Sequence, residues 1–413
     1  MKTNKITVVP RLRFPEFQDG GDWEEKNLID VADKGVKWSF IGGPFGSNLK
    51  ASDYTNKGVR VIQLQNIGDG EFVNDSKIYT SVEKADELLA NNIYPHDIIM
   101  SKMGDPVGRA CIIPDTHDRY VMCSDGIRLV VDEDKYSKYF VYSFINSDTF
   151  RASVESKSTG STRKRIGLSH LKNLPLLIPN LPEQQKIADC LSSLDDLINA
   201  ENEQLDALQE YKAGLLQQLF PAEGETTPKL RFAEFKDDGD WELMELESCL
   251  DYLQPTKYIV QSTDYNDKYS TPVLTAGKTF ILGYTDEKTG VFSEQIPVII
   301  FDDFTTASKF VDFPFKVKSS AMKILLAKDS FDIKFLYESI QNLDYETGVH
   351  KRHWISVFSK IRVAVPKLKE QQKIADCLSS LDNLIQAKDN QIDTLKTHKQ
   401  GLMQQLFPVM EGE

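Results

Sequence analysis

The sequence predicts a mixed α/β (α+β) fold with two globular domains, two long helices that pair with each other in a coiled coil, and an internal pseudo-two-fold repeat. Two observations predict it. A 43-residue segment at 179–221 returns at 366–408 with 29 identities and a constant offset of 187, and a shorter one at 12–24 returns at 230–242 with 10 of 13 positions identical. The stretches between these repeats show little similarity. We call the repeated segments the frame and the divergent stretches between them the inserts. The pattern predicts that the two copies of the frame have the same function and that the two inserts have different functions.

The chain length agrees with this division. A chain of 413 residues is too long for one ordinary core. With 40% hydrophobic and 27% charged residues and a mean hydropathy of −0.37, we expect a soluble globular protein. The repeats divide it into a lead-in segment (1–22), a first domain (23–178), a first helix (179–221), a lead-in repeat (222–240), a second domain (241–365) and a second helix with a tail (366–413).

The duplicated segments are predicted to be helices. Their apolar residues alternate in spacings of four and three, which is typical of a coiled-coil seam. In the first copy the pairing residues are Ile187, Leu191, Leu194, Ile198, Leu205 and Leu208, with Glu201 as a polar interruption; in the second they are Ile374, Leu378, Leu381, Ile385, Ile392 and Leu395, with Lys388 in the same position. Full antiparallel overlap predicts Glu201 opposite Ile392 and Lys388 opposite Leu205. The two charged residues then occupy adjacent layers.

The inserts are predicted to be mixed. Runs rich in β-branched and aromatic residues predict strands, and two amphipathic stretches predict helices. The strands are expected at 59–64, 97–100, 127–131, 297–301 and 321–326, and the helices at 139–150 and 333–342.

The charge distribution bears on the class of partner. A net charge of −13 would ordinarily argue against nucleic acid, because phosphate neutralisation requires Lys and Arg. Part of this negative charge lies in the first helix, however, since residues 181–221 alone carry a net −6. Segments 157–172 and 347–368 are basic and contain no acidic residue. The acidic total therefore conceals two basic insert ends.

The apolar runs, cysteines and histidines of the sequence indicate where the protein is located and whether it binds a metal. No apolar run approaches the roughly 20 residues that a membrane span needs, and the N-terminus lacks the apolar run of a signal peptide. Five cysteines without CxxC spacing argue against a disulfide framework or a zinc site. His350 and His353 have no further ligands nearby, so no metal is expected. We predict a cytoplasmic protein.

Enzyme signatures are weak. Segment 272–279, PVLTAGKT, ends like a phosphate-binding loop, but Pro272 replaces the first glycine and removes the sharp turn. The Pro-Asp dipeptide at 114–115 and the Glu-Asp-Lys segment at 133–135 have the spacing of a loose nuclease motif. In such a motif the carboxylates hold Mg²⁺. Such matches are common by chance, and the second part is typical of a solvated turn.

The basic segments are the stronger candidates for DNA contact. Each contains a Thr-Gly turn followed by a Lys-Arg pair, and the two pairs are separated by the frame's own offset of 187. Arginine can grip phosphate or read guanine, hydroxyls contact the backbone, and aromatic rings can stack. The candidates are Ser161, Thr162, Arg163, Lys164 and Arg165 in the first segment, His350, Lys351, Arg352, His353 and Trp354 in the second, and Ser47, Lys50, Thr306, Ser308 and Lys309 in other loops. A solvated charged surface is the alternative interpretation.

These residues resemble the specificity subunit of type I restriction-modification systems. The resemblance covers nearly the whole chain: the two helical phrases beginning EQQKIADCLSSLD, the LRF lead-ins, and inserts similar to target recognition domains, with DIIMSKMGDPVGRACII and TPVLTAGKTFILGYT as typical phrases. The repeated pair is the most specific part of the match.

The resemblance implies a non-catalytic DNA-binding protein that binds no cofactor itself. Each recognition domain would read one half of a bipartite asymmetric target in double-stranded DNA, and the two long helices would form an antiparallel coiled coil that separates the domains and sets the spacing. Two modification subunits, which bind S-adenosylmethionine and methylate adenine, would dock on the helices. Restriction subunits using ATP and Mg²⁺ would join them. The alternatives are a stand-alone DNA methyltransferase or nuclease, and a coiled-coil adaptor that does not bind DNA.

Overall fold

The computed structural model describes residues 9–275, 279–343, 354 and 357–409. The chain divides into two compact units: unit 1 comprises residues 1–201 and 391–413, and unit 2 comprises residues 202–390. Each unit therefore contains the first part of one long helix and the last part of the other. No helix among the described residues is long and apolar enough to cross a membrane.

The described strands and helices follow in chain order. The strands that begin in the first half are β1 (Glu24–Asn27), β2 (Phe40–Gly42), β3 (Tyr54–Thr55), β4 (Val59–Ile62), β5 (Ile78–Thr80), β6 (Asn92–Ile93), β7 (Ile98–Ser101), β8 (Met103–Gly104), β9 (Ala110–Ile112), β10 (Tyr120–Met122), β11 (Gly126–Leu129), β12 (Lys164–Arg165) and β13 (Pro175–Ile178). The helices there are α1 (Val82–Glu87), α2 (Lys138–Ile145), α3 (Asp148–Ser156), α4 (Leu168–Leu171) and α5 (Leu181–Leu219).

The second half continues this numbering. Its described strands are β14 (Glu242–Glu245), β15 (Leu250–Leu253), β16 (Thr271–Leu274), β17 (Ile281–Thr285), β18 (Val298–Asp302), β19 (Ser308–Val311), β20 (Lys316–Val317), β21 (Met322–Ala327) and β22 (Arg362–Val365). Its described helices are α6 (Leu246–Cys249), α7 (Ile333–Gln341) and α8 (Leu368–Leu406).

The two units share sheet topology although their inserts differ in sequence. Unit 1 contains a four-stranded sheet of order β2-β11-β7-β9, and unit 2 contains one of order β15-β21-β18-β19. In each sheet the last two strands form an antiparallel hairpin. Each unit also has a second sheet with one parallel strand pair, β4 with β10 and β16 with β20. The hairpins β7–β9 and β18–β19 are thus topological equivalents.

The duplicated frame forms the same contacts in both units. Arg13 donates two 2.7 Å hydrogen bonds to the carboxylate of Glu183, and Arg231 donates two of the same length to Glu370. The lead-in also contacts the end of a helix, because the backbone N–H of Leu12 donates to the carbonyl of Gln405 at 2.9 Å. The N-terminal lead-in therefore packs near the end of the second helix, as its repeat at 230–242 does at the end of the first.

Within each unit the two helical parts run antiparallel. In unit 1 the ammonium group of Lys399 lies 2.5 Å from a carboxylate oxygen of Asp195, and in unit 2 that of Lys212 lies 2.6 Å from Asp382. Lys212 and Lys399 are further polar interruptions of the apolar spacing, and each is paired with a carboxylate of the other helix. Of the predicted pairing residues, Ile187, Leu191, Ile198, Glu201, Leu205, Ile374, Leu378 and Ile392 are buried, and Leu194, Leu208, Leu381, Ile385, Lys388 and Leu395 are partly exposed.

Each of the five strands expected in the inserts occurs, and both of its ends lie within two residues of the predicted bounds. One prediction was wrong: the stretch 139–150 is two helices, α2 and α3. The break has a local cause, since Ser147 adopts an extended backbone and its hydroxyl accepts a hydrogen bond from the N–H of Phe150. A serine in this position caps a new helix instead of continuing the old one.

Candidate nucleic-acid interface

Several candidate loops of unit 1 lie at one end of its four-stranded sheet. Strand β2 ends where β11 begins, because Gly42 is paired with Ile127. Strand β7 ends there as well, since Ser101 is paired with Gly126. The loop after β2, the turn before β11 and the β7–β9 hairpin tip are therefore neighbours.

The first basic segment packs against that hairpin tip. Residues 159–165 form a loop closed by two backbone hydrogen bonds between Thr159 and Arg165, of 2.9 and 2.8 Å. Strand β12 in this loop pairs antiparallel with β8 in the hairpin tip. Gly160, with φ of 102°, provides the left-handed residue that the turn requires. The segment is thus an ordered hairpin rather than an irregular charged surface.

The cations of this loop differ in what they contact. Arg165 donates to a carboxylate oxygen of Asp125 at 2.5 Å, yet its side chain is 52% exposed. Lys164 pairs with Glu155. Ser161, Thr162 and Arg163 are exposed at the tip. A half-exposed ion pair contributes little to stability, so Arg165 can exchange its carboxylate for a phosphate at small cost.

Other arginines near the hairpin are structural. Arg109 donates from its guanidinium to the carbonyl oxygens of Ile67 and Leu64, at 2.5 and 3.1 Å. Arg151 pairs with Asp69 and donates to the amide oxygen of Asn146 at 2.6 Å. Burial lowers the pKa of Arg151 to about 10, which still leaves it charged at neutral pH. These two side chains hold the hairpin in place.

The loop after β2 is firmly anchored. Its Ser47 hydroxyl donates to the side chain of Asn48 at 3.2 Å, and the backbone N–H of Lys50 donates to Asp53 at 2.7 Å. A Cβ atom on Gly43 would lie 1.7 Å from the carbonyl oxygen of Cys123, so only glycine fits there. Lys50 itself is exposed, so its side chain is accessible to a ligand.

In unit 2 the equivalent hairpin tip, residues 303–307, carries Thr306 with φ of 61°. Lys309 is exposed on β19. Ser308 is 7% exposed, and its hydroxyl accepts a 2.7 Å hydrogen bond from Gln341, so the prediction of a surface contact for Ser308 was wrong. Serine is common on protein surfaces, but Ser308 is a buried residue at the start of β19.

The second basic segment is attached to the same hairpin tip. The backbone N–H of Trp354 donates to a carboxylate oxygen of Asp303 at 3.0 Å. The indole of Trp354 is 2% exposed and packs against Phe301 and Phe358, so the prediction that it stacks on DNA was wrong. Trp354 is a core residue because burying its large apolar ring stabilises the fold. His350, Lys351, Arg352 and His353 lie outside the described residues.

Sequence reasoning missed the residues that position the first basic loop. The backbone N–H of Lys102 donates to the carbonyl of Asp125 at 2.9 Å, and the carbonyl of Lys102 accepts from Ile166. Neither Lys102 nor Asp125 belongs to a repeat or a charge run, and only strand register brings them together. In unit 2 the corresponding bond runs from Asp303 to Ala321 at 3.1 Å.

Comparison with known families decides the class of protein. The sequence matches the type I restriction modification DNA specificity domain over residues 21–210 and again over 238–397. The chain belongs to this family. Both matches begin near a lead-in and end within a long helix, which agrees with the duplicated frame.

Individual relatives agree with this assignment. The specificity subunit of a type I restriction enzyme of Escherichia coli is 41% identical over 189 residues, which are 43% of this chain and 47% of that protein. This chain thus spans about half the length of that relative in the match. The type I restriction enzyme MjaVIII specificity subunit of Methanocaldococcus jannaschii is 23% identical over 309 residues, covering 65% of this chain and 69% of that one.

A solved structure shows the same fold. The crystal structure of the type I restriction-modification S subunit from M. genitalium superposes with a TM-score of 0.62 and 16% identity, covering 98% of this chain and 100% of that chain. Members of the specificity family are therefore similar to this chain in architecture as well as in sequence.

Proposed function

We propose that this chain selects the DNA target of a type I restriction-modification complex, with each recognition domain reading one half of a bipartite asymmetric sequence. The supporting observation is that both units attach a basic segment to the tip of an equivalent hairpin, β7–β9 in unit 1 and β18–β19 in unit 2. The inserts otherwise differ in sequence. Different side chains on one scaffold suit two different half-sites.

The long helices set the spacing and dock two copies of one modification subunit. Leu197 and Leu384 occupy equivalent positions in the repeat and are 42% and 48% exposed. One exposed leucine is ordinary on a protein surface, but the repeat places a leucine at the same position of both helices. A partner that binds at one of these positions therefore finds an equivalent position on the other helix.

The chemistry lies in the partners. Modification subunits supply S-adenosylmethionine for adenine methylation, and restriction subunits supply ATP and Mg²⁺ for translocation and cleavage. This chain contributes binding and orientation and transfers no group itself. Its own residues grip phosphates and read base edges through the loops described above.

The decisive experiment incubates the purified chain with duplex DNA and radiolabelled S-adenosylmethionine, with and without its modification subunit. Label should enter DNA only when both proteins are present, and mapping the methylated adenines gives the bipartite target. Transfer by the chain alone would instead establish a stand-alone methyltransferase. A Leu197→Glu, Leu384→Glu double variant should lose transfer while the free chain still folds.

A further inference from the structure

Two phenylalanines differ from all the others in the chain. All 22 phenylalanines lie within the described residues, and Phe45 and Phe304 are the two with exposed side chains, at 82% and 51%. Each unit contains one of them. Isolated exposed apolar residues are ordinary on protein surfaces, so the position of these two rings decides what they mean.

Phe45 is held in the solvent by an anchored loop. On one side Gly43 donates its N–H to the carbonyl of Gly126 at 2.8 Å, and on the other Leu49 is buried at 8% exposure. The carbonyl of Phe45 itself accepts from the N–H of Asn48 at 2.8 Å. The backbone on both sides is therefore fixed, and the ring cannot reach the core by a small movement of the loop.

Phe304 is held in a similar way by a different loop. Its backbone N–H donates to a carboxylate oxygen of Asp302 at 3.0 Å, and the hydroxyl of Thr305 donates to the other oxygen at 2.6 Å. The preceding residue, Asp303, accepts the hydrogen bond from Trp354. The hairpin tip is thus tied to the strand and to the second basic segment, with the ring of Phe304 outside.

Both rings lie at the corresponding end of the equivalent four-stranded sheets. Phe45 follows β2, and Phe304 follows β18, the counterpart of β7. Exposed cations are close in sequence at both places, Lys50 in the first loop and Lys309 in the second. A phenyl ring has no polar atom to offer a phosphate, but both its faces can stack on a base while neighbouring lysines neutralise the backbone.

We infer that Phe45 and Phe304 each stack on a base of the half-site that its own domain reads. This inference rests on the proposed function and adds a specific contact to it. Stacking by a ring on a fixed loop requires a base to be partly unstacked from its neighbours. The contact therefore favours half-sites that deform easily at that step.

The experiment uses the full chain with its modification subunit and a duplex that carries the mapped methylation target. Phe45→Ala and Phe45→Leu should each weaken binding by about tenfold or more, whereas Phe45→Tyr, which keeps the ring, should stay within about twofold. Val82→Ala removes a 50% exposed apolar side chain at the start of α1 and should leave binding unchanged. The same series at Phe304 tests the second domain.

A fluorescent base analogue, 2-aminopurine, placed at successive positions assigns the contact to a half-site. Its fluorescence should rise when the wild-type complex binds, because the contacted base leaves its neighbours, and this rise should be lost in one half-site with Phe45→Ala and in the other with Phe304→Ala. Leucine variants that bind like the wild type, or alanine variants without effect, would overturn the stacking inference alone. Failure of the wild-type complex to prefer the mapped duplex over an unrelated one would overturn the proposed function and this inference together.

Discussion

The backbone N–H of Leu12 donates to the carbonyl oxygen of Gln405 at 2.9 Å, and Leu230 makes the same 2.9 Å bond to Gln218. In the second case the lead-in directly follows the helix that it contacts. In the first case the two residues lie near opposite ends of the chain. The lead-in is therefore connected to the helix end by noncovalent contact in unit 1, and by a covalent loop as well in unit 2.

We predict that the chain tolerates circular permutation. Joining the original ends with a short linker and reopening the chain at Gly224 makes the connection between lead-in and helix covalent in unit 1 and noncovalent in unit 2. Gly224 lies in an exposed loop, and a Cβ atom placed on it would meet nothing within 4 Å. The permutant should fold and keep its DNA preference in the methylation assay.

Opening the chain between Asp195 and Asp196 instead interrupts α5 and serves as the control. That variant should lose stability, since it breaks a helix next to the Asp195–Lys399 pair. A Gly224 permutant that folds but no longer recognises its target would contradict the prediction.

The contrast between frame and inserts explains how much could be predicted from the sequence. Two long helices and the lead-in contact follow from repeats and heptad spacing, which depend on local periodicity, whereas the antiparallel pairing was implied by the resemblance to the specificity family. The attachment of the first basic loop to β8 depends on strand register and had no signal in the sequence. Trp354 was misassigned because an aromatic residue in a basic segment has the same composition whether its ring is buried or exposed.

Arg165 provides a test of the first basic loop. Arg165→Ala should weaken recognition of the half-site that the first domain reads and leave the other half-site unaffected. If Arg165 contacts a base, the loss should be about 1–3 kcal/mol with relaxed base choice at one position; if it contacts phosphate, the salt slope should fall by about one. Binding measured across a salt series, with the modification subunit present, separates the two cases.

Arg119 is the matched control, because it is also a surface arginine paired with an aspartate, Asp86, at 2.7 Å. Arg119→Ala should bind DNA like the wild type. In the second domain, Arg352 is expected to behave as Arg165 does, but on the other half-site. Unchanged binding in both Arg165→Ala and Arg352→Ala would refute the assignment of the basic segments.

The Arg13–Glu183 pair should be a major stabilising contact of unit 1. The side chains are 9% and 1% exposed, and the hydrogen bond that Arg13 donates to Glu183 raises the pKa of Arg13. Glu183→Ala leaves a partly buried guanidinium without its carboxylate, so we expect a loss of about 1–3 kcal/mol in urea unfolding. Glu203→Ala, at an exposed position of the same helix, should cost less than about 0.5 kcal/mol. Equal effects would show that the pair adds nothing.

Asp382 should make unit 2 sensitive to acid. Its burial favours a higher pKa, but hydrogen bonds from Lys212 and Lys334, each at 2.6 Å, outweigh burial and lower the pKa. A carboxylate with a lowered pKa stabilises the fold above its ordinary pKa of 3.8, and this contribution is lost as the pH falls through the folded-state value. Asp382→Asn should therefore flatten the dependence of unfolding free energy on pH below about 5.

The control for this prediction is Asp376→Asn, an exposed position on the same helix. It should retain the acid-dependent loss of the wild type. Unfolding curves in urea at several pH values below neutrality supply the comparison. An Asp382→Asn profile as steep as that of the wild type would assign the acid sensitivity to other carboxylates.

The polar residues at the middle of the two helices can determine which half of the chain associates with which. Glu201 accepts a hydrogen bond from Gln391 at 3.1 Å in unit 1, and Lys388 donates one to Gln204 at 3.0 Å in unit 2. Both contacts lie within one residue of the predicted register, which places Glu201 opposite Ile392. That register predicts Glu201 and Lys388 in adjacent layers, where a partly buried pair adds little net stability but can select the partner.

We therefore predict that the separated halves prefer each other to themselves, because two first halves would bring one Glu201 against another. Glu201→Lys or Lys388→Glu alone should weaken association of the co-expressed halves, and the double swap should recover it with a coupling of about 0.5–2 kcal/mol. Glu203→Lys, at an exposed position two residues along the same helix, changes the net charge equally and should have little effect. Pull-down of one tagged half followed by titration of the other measures the association. Losses that simply add in the double variant would mean that the two charges do not interact and that the helices select their partner through the apolar seam alone.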